Sequence, residues 1–159
     1  MGLFNGLFNK SIKGDLKRFH YSPGYCDMLG ACHYSTLEKN ENGKWIFVTG
    51  DREQHSDPVT VKTYAVSDEA AAEFGAFIIQ QNFLDLTNRP KNRGFITDYS
   101  PWSYNIDLDC SADGGSSCEY FSIGQYHEYS NKDDELMEQV LAKFNALKGE
   151  LISEVKENG

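Results

Sequence analysis

Along the chain the spacing of apolar side chains changes period several times, and each change marks an element. The stretches from Leu16 to Ser22, Ala31 to Glu38, Lys44 to Thr49 and Val59 to Val66 are rich in aromatic and β-branched residues and read as strands. Turn clusters separate them, Ser22-Pro23-Gly24 and Asn40-Glu41-Asn42-Gly43 being the clearest. Ser67 then stands as a helix N-cap, with Asp68 and Glu69 in the first turn, where the helix dipole favours negative charge. The alanine-rich run that follows continues to about Asn82, with Phe74, Phe77, Ile78 and Gln81 as its inward stripe.

From Trp102 to Cys110 the alternation is unbroken, with Trp102, Tyr104, Ile106, Leu108 and Cys110 on one face and Ser103, Asn105, Asp107 and Asp109 on the other. Ser111 to Ser117, centred on Asp113-Gly114-Gly115, returns the chain into a strand from Glu119 to Gly124, predicting an antiparallel hairpin. Asn131 to Glu157 reads as a long closing helix, its stripe formed by Leu136, Val140, Leu141, Phe144, Leu147, Leu151, Ile152 and Val155. Between the two halves, Asp85 to Pro101 keeps no period and carries Arg89, Lys91 and Arg93 near Phe95 and Tyr99, which suits a long working loop. The order β-β-β-β-α-β-β-α predicts an α+β fold, a mostly antiparallel sheet of about six strands with both helices on one face. A strongly curled half-barrel around the final helix is the alternative.

Residues 1–14 stand apart as an amphipathic segment before a single α+β domain over 15–159. Gly2-Leu3-Phe4-Asn5 repeats as Gly6-Leu7-Phe8-Asn9, which sets Leu3, Phe4, Leu7 and Phe8 at helical spacing ahead of Lys10, Lys13, Lys17 and Arg18. A frayed or core-docked terminus accounts for this pattern, with a membrane-surface or self-association helix, apolar face and basic flank, as the alternative.

Charge narrows the partners. The chain carries a net charge of −9 with a pI near 4.8, so its overall field repels phosphate backbones, and nucleic acid is not an expected partner. No run is apolar and long enough for a membrane span and no signal-peptide pattern opens the chain, which makes the cytoplasm the expected location. Between Gly94 and Asn131 there is no Lys or Arg, while Asp98, Asp107, Asp109, Asp113, Glu119 and Glu128 all fall there. Asp107, Asp109, Asp113 and Glu119 therefore predict an acidic sheet face that docks a basic protein, a non-enzymatic interaction module. The alternative is a small-ligand-binding or hydrolytic domain whose pocket lies under the 85–101 loop, lined by Trp102, Tyr104, Tyr126 and His127.

Catalytic and metal motifs are sparse. Asp109-x-Ser111-x-Asp113-Gly114 copies the start of a calcium loop, but Tyr120 stands where the closing Glu belongs, so a plain hairpin turn accounts for it. His20, His33, His55 and His127 have no metal-ligand spacing, and no phosphate loop or nucleophile elbow occurs. No cofactor is implied. Cys26 with Cys32 and Cys110 with Cys118 bracket probable turns at spacings unlike zinc knuckles; Cys110 and Cys118 are expected side by side as free thiols, with a cross-hairpin disulfide or half a metal site as alternatives.

The opening Met1-Gly2-Leu3-Phe4, the strand from Trp102 to Leu108 after Asp98, and the tail from Tyr126 through Leu147 resemble uncharacterised small proteins of bacterial genomes. The resemblance implies a bacterial, cytosolic protein and brings no activity with it.

Overall fold

A computed structural model describes residues 14–24, 31–91, 102–109 and 118–158, Cys118 by its backbone. The elements are β1 (Asp15–Ser22), β2 (Cys32–Lys39), β3 (Trp45–Arg52), β4 (Val59–Ala65), α1 (Asp68–Gln80), a 3-10 helix η1 (Phe83–Asn88), β5 (Ser103–Asp109), β6 (Cys118–Gly124), α2 (Asn131–Asn145) and β7 (Leu151–Glu157). All seven strands form one antiparallel sheet in the order β6-β5-β1-β2-β3-β4-β7, so the fold is α+β as the order of elements predicts.

Strand register explains the core. Phe19 stands opposite Leu37 on β2 and Ile106 on β5, Leu37 opposite Phe47, and Phe47 opposite Tyr64, so one row of large side chains crosses the sheet on a single face. Phe19, Leu37, Phe47 and Ile106 are fully buried. Both long helices cover that face: the Phe74 ring of α1 lies 5.0 Å from Phe19, and the Phe144 ring of α2 lies 4.7 Å from both Phe19 and Phe47.

The helices begin where their caps direct. Ser67 Oγ accepts the Ala70 N–H at 3.1 Å, as its N-cap position predicts. Ser130 and Asp133 form a reciprocal capping box at the start of α2, each side chain accepting the other's backbone N–H at 3.1 Å.

The C-terminal third corrects the sequence reading. The expected helix from Asn131 to Glu157 ends at Asn145, and Leu151–Glu157 is a seventh strand paired with β4. Gly149 decides this. Its N–H donates to the Ala65 carbonyl at 2.9 Å, the Ala65 N–H donates to the Glu150 carbonyl at 2.8 Å, and a Cβ at Gly149 would collide with the Ala65 oxygen. The chain is thereby drawn onto the β4 edge, and Leu151, Ile152 and Val155 are exposed rather than packed on the sheet.

The first part of the expected 85–101 loop is also ordered core. Asn82 takes a left-handed φ of 56° and turns the chain from α1 into η1, whose Phe83, Leu84 and Leu86 are buried. Arg89 donates Nε and Nη2 to the two Asp133 oxygens at 2.9 and 3.0 Å, clamping the end of η1 to the first turn of α2. Residues 92–101, Cys26, Cys110, and the N-terminal Leu3, Phe4, Leu7 and Phe8 lie outside the described residues.

Candidate functional site

Two residues along each strand from the buried row, the same sheet face changes character. Tyr21, Ser35, Thr49 and Lys62 stand side by side on β1 to β4, and His33 and Asp51 form the next row. Because α2 ends at Asn145, no helix covers these positions among the described residues. The result is a cup of about 330 Å³, its wall completed by Tyr64, Asn145 and Lys148. That volume falls in the roughly 300–1,000 Å³ of small-molecule sites.

Its electrostatics differ from the rest of the chain. Lys62 and Lys148 line it together with Asp51, and Glu154 of β7 stands opposite Lys62 in register. Among the described residues neither ammonium has a carboxylate within ion-pair distance. The Lys148 Nζ lies 5.5 Å from the Phe47 ring centroid and 5.7 Å from that of Tyr64, which holds the charge at the boundary between core and cup. Burial raises the pKa of the Tyr21 phenol, keeping it a neutral donor.

His33 and Asp51 are hydrogen-bonded, Nδ1 to Oδ1 at 2.9 Å, while His33 Nε2 faces Glu53 Oε1 at 3.8 Å. Ser35 follows His33 on the same face, which puts Ser, His and Asp side chains in one cup. Among the described residues, however, no hydrogen bond joins Ser35 to His33, whose two nitrogens are turned to carboxylates. Activation of a serine requires that bond.

The residues singled out in the sequence are distributed differently. Asp107 and Asp109 share the sheet face opposite the helices, with Asp15 directly across from Asp109. Asp107 stands across from Arg18, whose Nε lies 3.4 Å from Glu38, so that face is mixed in sign. Glu119 is paired with the buried Leu108 and belongs to the other face, while Ser111 and Asp113 lie outside the described residues. No group of three or more potential metal ligands occurs among the described residues. Cys118 stands opposite Asp109 in register, and Cys32 is a half-buried free thiol.

Of the four expected pocket residues, Tyr104 is core, packed on Phe19 and Phe83. Trp102 is half-buried between Tyr104 and Tyr129, and Tyr126 is exposed. His127 has a buried Nδ1 without a hydrogen-bond partner among the described residues. The cup lies elsewhere. The sequence does not single out its residues, because they come from separate strands and meet only through register. The available signal was a polar residue two places from a core residue on successive strands: Ser35 before Leu37, Thr49 after Phe47, Lys62 before Tyr64.

Comparisons of the chain with protein-family models, with curated proteins and with solved structures returned no match. No helix among the described residues is long and apolar enough to cross a membrane.

Proposed function

We propose that this domain binds a small ligand bearing a carboxylate or phosphate group in the cup between β1–β4 and the end of α2. The observation that carries the reading is the convergence of Lys62 and Lys148, free of ion pairs among the described residues, on a concave site in a chain of net charge −9. An oxyanion entering there meets the two ammonium groups and the hydroxyls of Tyr21, Ser35, Thr49 and Tyr64, with Asn145 at the rim. The reading is of binding rather than turnover, because His33 is engaged with Asp51 and faces Glu53 instead of activating Ser35.

Amide shifts on titration with inorganic phosphate and with citrate test it. Millimolar additions are expected to move Ser35, Thr49 and Lys62 together, and Lys62→Ala with Lys148→Ala to remove the response. Shifts scattered over the surface, or none with either anion, would overturn the reading.

A second reading rests on Asp15, Asp107 and Asp109 sharing one sheet face: docking of a basic protein. It predicts salt-sensitive capture that is lost when Asp107 and Asp109 become Asn.

A further inference from the structure

At the β4 side the sheet ends in β7, seven residues that are all exposed, Leu151, Ile152 and Val155 at 48%, 60% and 52%. One side of this strand is paired with β4, and among the described residues no strand pairs with the other, which leaves a template for another strand. Within one copy Glu154 stands opposite Lys62 and Lys156 opposite Thr60. Among the described residues neither Glu154 nor Lys156 makes an ion pair.

The sequence of β7 is self-complementary about Val155. In a two-fold antiparallel pairing centred there, Val155 meets Val155, while Glu154 of each copy stands opposite Lys156 of the other. Residues 154 and 156 lie on the same face of the strand, so both pairs form at once, and the helices of both copies stay on one side of the joined sheet. Centring on Glu154 instead opposes that carboxylate to itself and sets Leu151 against Glu157, which is penalised.

We infer that β7 is the interface with a second copy of this chain, a two-fold dimer that joins two seven-stranded sheets across Val155 through paired Glu154–Lys156 contacts. The contact is small, so a reversible, concentration-dependent equilibrium is expected.

Sedimentation of the full chain over a concentration series at low salt tests this. A species of twice the 18.0 kDa chain mass is expected. Glu154→Lys and Lys156→Glu each replace two attractive pairs by two repulsive ones and should weaken self-association by roughly tenfold or more. Mixing the two variants restores opposite charges across the joint and should return the dimer, a recovery that misfolded chains would not show. A wild-type chain that stays at 18.0 kDa at the highest concentration, or a dimer that neither substitution weakens, would overturn the inference.

Discussion

The same strands build a dry half and a wet half of one sheet face. Phe19, Leu37 and Phe47 are sealed under Phe144, yet Tyr21, Ser35 and Thr49, two residues farther along β1, β2 and β3, line an open cup with Lys62 and Lys148. The backbone is alike in both halves. What differs is the cover: α2 lies over the first row and stops at Asn145 before reaching the second, because Gly149 turns the chain onto β4. A binding site on such a sheet is therefore made as much by where a helix ends as by the residues on the strands.

The largest effect should come from breaking the dry half. Phe144 is fully buried and touches Phe19, Phe47 and Phe74, so Phe144→Ala should cost about 3–5 kcal/mol, read from denaturant unfolding. If the loss were under about 1 kcal/mol, α2 would not be the lid of the core.

Next is the anchor that fixes where α2 begins. Asp133 accepts both Arg89 hydrogen bonds and closes the capping box, so Asp133→Asn should cost about 2 kcal/mol at neutral pH. The Arg89 hydrogen bonds, more than the backbone N–H and hydroxyl of Ser130, hold the Asp133 carboxyl below its ordinary value of 3.8 although burial opposes them. A depressed carboxyl contributes its stabilisation fully above the unfolded-state value and loses it as pH falls through the folded one. The acid limb of the stability curve should consequently be shallower in the variant.

Much of this division is legible in the sequence. Trp102 to Gly124 reads as a hairpin because its alternation is strict, and β5 and β6 pair accordingly. Ser67 and the acidic turn after it mark α1 because capping is a local interaction. The end of α2 was hidden: Leu147, Leu151 and Val155 continue a four-residue spacing, and only Gly149, a helix-stop signal, argued against it. The cup was hidden for another reason, since Thr49, Lys62 and Lys148 are neighbours only through pairing and the turn after α2. The acidic set was visible as composition, but strand parity divides Glu119 from Asp107 and Asp109.

A smaller effect lies behind the dry row. His20 follows Phe19 and faces away from the helices, its Nδ1 2.8 Å from Thr36 Oγ1. Burial, with a contribution from the Arg18 charge, lowers its pKa from 6.5, so the folded state resists protonation. Any stability tied to neutral His20 is present above 6.5 and lost as pH falls through the lowered value. Between about pH 7 and about pH 5 the melting temperature should fall by a component that is missing in His20→Gln. Equal slopes for the two proteins would mean that His20 titrates alike folded and unfolded.

The smallest stability change should come from the wet half, and it is the sharpest test of the comparison. Thr49 is buried at 7% exposure and lines the cup, and the near-isosteric Thr49→Val keeps its size while deleting the hydroxyl. Lys62→Ala removes a cation that makes no ion pair among the described residues, although Glu154 stands opposite it in register. Each substitution should therefore change unfolding free energy by no more than about 0.5 kcal/mol, the range of changes away from the core and from buried networks. Phosphate or citrate binding should nevertheless weaken by about ten- to a hundredfold, since a hydrogen bond to a charged ligand contributes about 1.5–3 kcal/mol. A row that served only the fold would give the opposite pattern, with stability lost and anion binding unchanged. Paired unfolding and titration measurements on these two variants separate the cases.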